Sequence, residues 1–251
     1  MTEKKIANIA ILMAMQGEAA PLIQHFQLQE NQSCFASALP FRCFQKQVGD
    51  LQLNLLTSGT DKVHGVDNIG CEPATLMAQQ AIDKLNPDLL ISAGTAGGFA
   101  AKGAQIGTLY ASEKYFVFHD RIVPLPKFDN AAIGCYPALD VSQLAADLKL
   151  ESGVISSGSS LEKNPKDQHI IEQYNAVAKE MEAAAIAWVA SLYKTPFFAL
   201  KSITNLVDES NQSEDEFIKN FDYSVTVLNS TLIDLVHYLQ GKTINSLGRQ
   251  L

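Results

Sequence analysis

The chain alternates short apolar runs with stretches of helical periodicity, and this order restricts the folds open to it more than any other property. Residues 6–15 form a continuous apolar run, as a strand buried on both faces requires, and helical spacing follows over 18–26. Residues 41–47 and 51–57 alternate in polarity around Val48-Gly49-Asp50, which predicts a hairpin. Apolar residues recur at helical spacing over 71–85, and Asn86-Pro87 ends that helix. Leu89-Leu90-Ile91-Ser92 then enters a small-residue turn, Ala93-Gly94-Thr95-Ala96-Gly97-Gly98. Further strands are expected over 106–117, 154–157 and 197–203, an alanine-rich helix over 181–192 and a last helix over 214–239. Strands that alternate with helices pair largely in parallel and need cover on both faces. The expected fold class is therefore α/β, one three-layer α/β/α domain spanning residues 1–251 around a mixed, largely parallel central sheet. Nearly half of the 251 residues are apolar, enough to bury a core of that size, and no internal repeat, linker or low-complexity segment divides the chain.

Charge narrows the partners. With 19 Lys and Arg against 27 Asp and Glu, the net charge is −8, so no broad attraction to nucleic acid or to anionic lipid is expected. Cys34, Cys43, Cys71 and Cys135 show no C-x-x-C spacing, and no Cys/His cluster offers a tetrahedral metal site. The expectation is a chain without metal or cofactor, kept in a reducing compartment. Met1-Thr2-Glu3-Lys4-Lys5 leads into an apolar run without a small-residue cleavage site, and no run approaches the roughly 20 apolar residues of a membrane span. A cytoplasmic protein with a small neutral or cationic ligand is the resulting expectation.

In a sheet of this kind, ligands gather at loops beyond the carboxyl ends of strands. Four segments are expected there: residues 16–18, 58–60, 94–98 and 204–208. The loop Gly94-Thr95-Ala96-Gly97-Gly98 has neither the dinucleotide nor the P-loop spacing, so it is poor evidence for NAD or ATP. Its small residues let main-chain groups approach a flat base or a ribose, with Thr95 adding a hydroxyl, although a tight strand–helix turn would use the same residues. Glu18 sits at a helix start, where the dipole favours a carboxylate whether or not it has chemistry to do. Glu180-Met181-Glu182 precedes a second helix in the same way, with two acids of which one can face a pocket.

Taken together and in order, these segments resemble the 5'-methylthioadenosine/S-adenosylhomocysteine nucleosidases of the purine nucleoside phosphorylase superfamily. The carriers are Ala14-Met15-Gln16-Gly17-Glu18, Ser58-Gly59, Ala93-Gly94-Thr95-Ala96-Gly97-Gly98, Phe118-His119-Asp120, Ser157-Gly158, Glu180-Met181-Glu182-Ala183-Ala184-Ala185 and Lys201-Ser202-Ile203-Thr204-Asn205-Leu206-Val207-Asp208. The segment 118–129 and the tail Gly241-Lys242-Thr243-Ile244-Asn245 look closer to plant members. The resemblance implies a nucleoside phosphorylase-like fold, hydrolysis of the N-glycosidic bond of a 5'-thio-substituted adenosine, no cofactor, and a homodimer.

It also implies roles. Glu18 would orient and deprotonate the attacking water, and Glu182, with Glu180 beside it, would grip ribose hydroxyls. Met15 and Ser58 would bind the substrate, Met181 would pack on the ribose, and Thr95, Ala96 and Gly97 would line the water and base side. Leu161 would cover the base and the main chain of Glu162 would read its edge. Val123, Pro126 and Phe128 would line the 5'-substituent pocket, part of it on the neighbouring subunit.

Two positions depart from the family pattern. Asn205 stands where the family places the aspartate that protonates purine N7, and an amide is not a practical proton donor. Loss of that acid predicts activity lowered by roughly 10²–10⁴. Ser159 stands where relatives carry an aspartate after Ser-Gly, a second acid lost near the base. Asp208 follows Asn205 by three residues, a spacing that points it elsewhere. Lys201 either pairs with the neighbours of Asn205 or with Glu180, or extends from a strand end, and His119 and Asp120 read as loop and interface residues. Because an amide donates to a 6-oxygen as readily as to N7, a 6-oxopurine nucleosidase or phosphorylase is the alternative enzyme. A purine-nucleoside-binding protein without turnover is the alternative outside catalysis.

Overall fold

A computed structural model of the chain describes residues 4–162, 164–209 and 213–249; Met1-Thr2-Glu3 of the N-terminal reading, and the outer limits of the 1–251 domain, lie outside them. Ten strands form one sheet: β1 (Asn8–Met13), β2 (Gln29–Glu30), β3 (Arg42–Val48), β4 (Leu51–Thr57), β5 (Leu89–Gly98), β6 (Leu109–Phe118), β7 (Tyr136–Pro137), β8 (Glu151–Ser157), β9 (Ala176–Glu180) and β10 (Phe197–Leu206). The helices are α1 (Gln16–Phe26), α2 (Cys71–Leu85), α3 (Phe128–Ile133), α4 (Ser142–Asp147), α5 (Pro165–Gln173), α6 (Ala183–Tyr193) and α7 (Ser213–Leu239).

The apolar run at 6–15 becomes β1 because strands flank it on both sides, β4 and β5, each in parallel register. Its side chains alternate between the faces of the sheet. Ala10 and Leu12 pack under α2 and α6, while Ile9, Ile11 and Met13 pack under α1 and α7. In α7, Leu228, Leu232, Leu235 and Leu239 recur along one stripe and are fully buried. Each such leucine contributes about 1.5–3 kcal/mol of burial. The three-layer α/β/α expectation holds, and the expected hairpin is the antiparallel pair of β3 and β4.

The sheet is not a simple open one. β5 pairs with β1 at residues 89–92, with β10 along its length and with β9 at Gly97 and Gly98. β10 continues to β6, β6 to β8 and β8 to β9, so five strands close into a ring. Here the structure corrects the sequence reading. Residues 94–98 are not a loop beyond a strand but the second half of β5, held by partners on both sides. The small residues serve this curvature: a Cβ on Gly98 would lie 2.8 Å from Ala104 Cβ, and one on Gly97 2.6 Å from a Val207 methyl. Thr204 and Asn205 likewise belong to β10, at a register shift between Ile203 and Asn205.

Candidate active site

At the junction of the ring with the open sheet, segments from β1, β5, β9, β10, α1 and α7 enclose a cavity of about 210 Å³. Met15, Glu18, Thr95, Ala96, Gly97, Leu161, Glu180, Met181, Glu182 and Asn205 all line it, as the sequence reading expected.

Glu18 lies in the first turn of α1, and β5 receives its carboxylate. Oε1 accepts from the Thr95 amide and from Thr95 Oγ1, both at 2.7 Å. The missing side chain of Gly94 makes the space: a Cβ there would stand 3.2 Å from both carboxylate oxygens. α7 steadies the same turn, because Asn229 Nδ2 donates to the Glu18 carbonyl at 3.0 Å. Burial raises the Glu18 pKa above the ordinary carboxylate value, against the Thr95 hydrogen bonds and the Lys201 charge, which lower it. A buried carboxyl with a raised pKa and fixed orientation is what a general base for water requires.

Glu180 and Glu182 turn out to have separate tasks. Glu180 Oε2 pairs with Lys201 Nζ at 2.9 Å, and its carboxylate takes the Glu182 amide at 3.1 Å, the Ala183 amide at 3.0 Å and the Ser157 hydroxyl. Ser157 Oγ in turn accepts from the Ala184 amide at 2.8 Å. Glu180 therefore caps α6 and neutralises Lys201, and its bonding capacity is spent inside the protein; the expectation that it grips the ligand is corrected on that ground. Glu182, two residues on, receives only the Gly70 amide among the described residues, at 2.9 Å. Desolvation, then the neighbouring Glu180 charge, push its pKa up to about 7. Lys201 is 2% exposed, which settles it as the buried partner of Glu180. Burial opposes its charge, but Glu180, Glu182 and Glu18 outweigh that and hold the ammonium above its ordinary range. Three carboxylates around one cation leave this end of the cavity rich in negative charge and oxygen.

Three residues further along β5, about 10 Å away, the lining changes character. Asn205 and the apolar Val207 pack against Gly97; Ile69 and Phe217 also line the cavity, Ile69 next to the Gly70 that bonds Glu182. The Thr204 hydroxyl lies 3.1 Å from Asn205 Oδ1 and 3.2 Å from the Ala96 carbonyl.

Several expected residues lie elsewhere. Ser58 is buried off the cavity because its hydroxyl donates to the Ala14 carbonyl at 2.5 Å. Glu162 is exposed, and its carbonyl receives Lys179 Nζ. Val123, Pro126 and Phe128 sit on an exposed segment outside the cavity of this chain, Phe128 63% exposed, because α3 and its approach project from the sheet. Ser159 is also exposed and off the cavity, its amide donating to Asp120 at 2.6 Å, so it is not a missing acid at the base side. Asp208 caps the turn at Ala100 and Ala101, at 2.7 and 2.8 Å, and supplies no acid to the cavity. His119 lies in the bend that follows β6, as expected, yet it is wholly buried, and burial, then Lys179, push its pKa down to about 4. Sequence reasoning passed over Lys179, Phe217 and Ile69. Only Phe217 carried a signal, its place in the first turns of an expected helix.

The sequence profile of the phosphorylase superfamily matches residues 8–237. A 5'-methylthioadenosine nucleosidase of Arabidopsis thaliana is 36% identical over 245 residues, 97% of this chain and 91% of that one. A 5'-methylthioadenosine/S-adenosylhomocysteine nucleosidase of the same plant is 34% identical over 246 residues, 98% and 96% of the two chains. The solved apo structure of the Arabidopsis thaliana 5'-methylthioadenosine nucleosidase aligns with a TM-score of 0.94 at 35% identity, covering 97% of this chain and all of that one.

Proposed function

The chain belongs to the phosphorylase superfamily and, within it, to the plant-type 5'-methylthioadenosine/S-adenosylhomocysteine nucleosidases, and on that premise we propose that it hydrolyses the N-glycosidic bond of 5'-methylthioadenosine and of S-adenosylhomocysteine, releasing adenine. The observation that carries this reading is the Glu18, Glu182 and Lys201 cluster facing one cavity. Glu18 takes the proton of the attacking water. Glu182 accepts from the ribose hydroxyls. The surrounding negative charge stabilises the oxocarbenium-like sugar that forms as the base departs.

The base side is weaker. Asn205 hydrogen-bonds N7 without protonating it, so the leaving group takes its proton from water and turnover is slow. Incubation with 5'-methylthioadenosine in phosphate-free buffer, followed by chromatography, is expected to show adenine. No release, even after Asn205→Asp, would sink the reading.

One contact favours a second reading. With the Thr204 proton on Asn205 Oδ1, the amide nitrogen is left to donate, and a 6-oxopurine offers it acceptors at both N7 and O6. Inosine and guanosine cleaved faster than adenosine analogues, with or without phosphate, would establish it; binding of every nucleoside without cleavage would instead mark a binding protein.

The proposal includes a cytoplasmic homodimer. Leu125 just before α3, Phe128 at its first residue, and Trp188 and Leu192 on α6 are exposed apolar side chains. Covering them with a second copy supports the implied role of Val123, Pro126 and Phe128 in closing the neighbouring cavity.

A further inference from the structure

Lys179 lines the cavity and has no part in the chemistry above. It stands on β9 in register with Gly97 of β5, and Asn205 of β10 is in register with Gly97 from the other side. The three positions form one rung across the wall of the cavity, with a bare glycine between a lysine and an amide. Lys179 is only 6% exposed. A lysine is rarely buried so far without a partner to hold its charge. Here Nζ donates to the main-chain carbonyl of Glu162 and, at 3.5 Å, to that of Leu161. Burial lowers the Lys179 pKa below its ordinary value, against Asp167, Asp120 and Glu162, whose charges on the surrounding segments support the ammonium.

The segment it holds is otherwise loosely tied. Leu161 and Glu162 are exposed and follow β8 without entering α5, yet Leu161 reaches the cavity. Side-chain bonds from Asp120 and from Cys71 also reach this stretch, both at Ser159, two residues short of Leu161. We propose that Lys179 is a positioning residue for purine recognition: it staples residues 161–162 over the base side of the cavity, so that Leu161 covers the flat face of the base. The inference rests on the nucleosidase reading, and it assigns base affinity to a buried cation that never touches the bond being broken.

The test replaces Lys179 with Met, which keeps the length and removes the donors, and with Gln, which keeps a donor on a shorter stem. Kinetics with 5'-methylthioadenosine, calorimetric binding of free adenine, and hydrogen exchange over 158–162 are measured on each variant and on the parent. For Lys179→Met the expectation is KM and the adenine Kd raised by about 10–100-fold, the scale of one leucine contact. kcat stays within about threefold, and exchange over 161–162 accelerates while the strands keep their protection. Lys179→Gln should fall between parent and Met. Unchanged KM and adenine affinity, or a fall in kcat with KM intact, would overturn the staple. Exchange over 161–162 that does not change in either variant would overturn it as well. If the parent itself neither cleaves nor binds purines, the nucleosidase reading fails instead, and the exchange measurement still decides whether Lys179 holds the segment.

Discussion

At position 94 a side chain would occupy the space that the Glu18 carboxylate uses, 3.2 Å from both of its oxygens. Gly94→Ala should therefore displace the base by several tenths of an ångström and lower kcat on the order of 10²-fold, with a small change in melting temperature. Steady-state kinetics beside a thermal melt checks this. Asn205→Asp restores a proton donor at the base and should raise kcat/KM for 5'-methylthioadenosine by about 10²–10⁴. A rate of adenine release that stays flat would show that the amide is not what limits turnover. Glu182 gives the pH dependence. Its folded pKa is raised, to about 7, so the carboxylate proposed to grip ribose is protonated below that pH. Nucleoside affinity should rise from pH 6 to pH 8, and Glu182→Gln should flatten the profile. Stability runs the other way: the group's contribution is fully present below about 4.5 and is lost as pH rises from there through about 7, so parent and Glu182→Gln should diverge in chemical denaturation over that window. The motif order disclosed Glu18, Glu182 and Asn205. It did not disclose Lys179, because a lysine beside an acid on a short strand reads as surface until the neighbouring strands close over it.

The junction of β9 with α6 shows how an element can supply chemistry by serving another. Strand β9 ends on Glu180, whose carboxylate takes the first amides of α6, and this sets the turn from which Glu182 faces the cavity. Glu180→Gln would leave Lys201 buried without its counter-charge, and a loss of about 3–5 kcal/mol in urea denaturation is expected. A loss below 1 kcal/mol would mean that the other carboxylates hold Lys201 unaided. At this scale the sequence was legible where periodicity runs long, as in β1, α2, α6 and α7. It was silent on β7, β9, α3, α4 and α5, each of nine residues or fewer. Residues 94–98 misled for a different reason. Glycine and alanine signal a turn locally, but here they allow a strand to curve between two partners, a choice made by contacts distant in sequence.

For the whole molecule, the exposed apolar side chains of α6 and of the segment before α3 predict assembly. Sedimentation should show a dimer, and Leu192→Glu should shift it toward monomer and raise KM, because the neighbouring segment no longer completes the cavity. An unchanged dimer would place the interface on another face. A sheet with two long free margins would offer each of them as a template to other chains. Here one side joins back upon itself through β10, β6, β8 and β9, with β7 adding only a two-residue edge beside β6, and the far margin ends at β2, a two-residue strand beside the Arg42–Glu30 ion pair. The closure that shapes the cavity thus also leaves little hydrogen-bonding border for strand-to-strand polymerisation. Aggregation under stress should accordingly begin at the β2–β3 margin, before the ring opens.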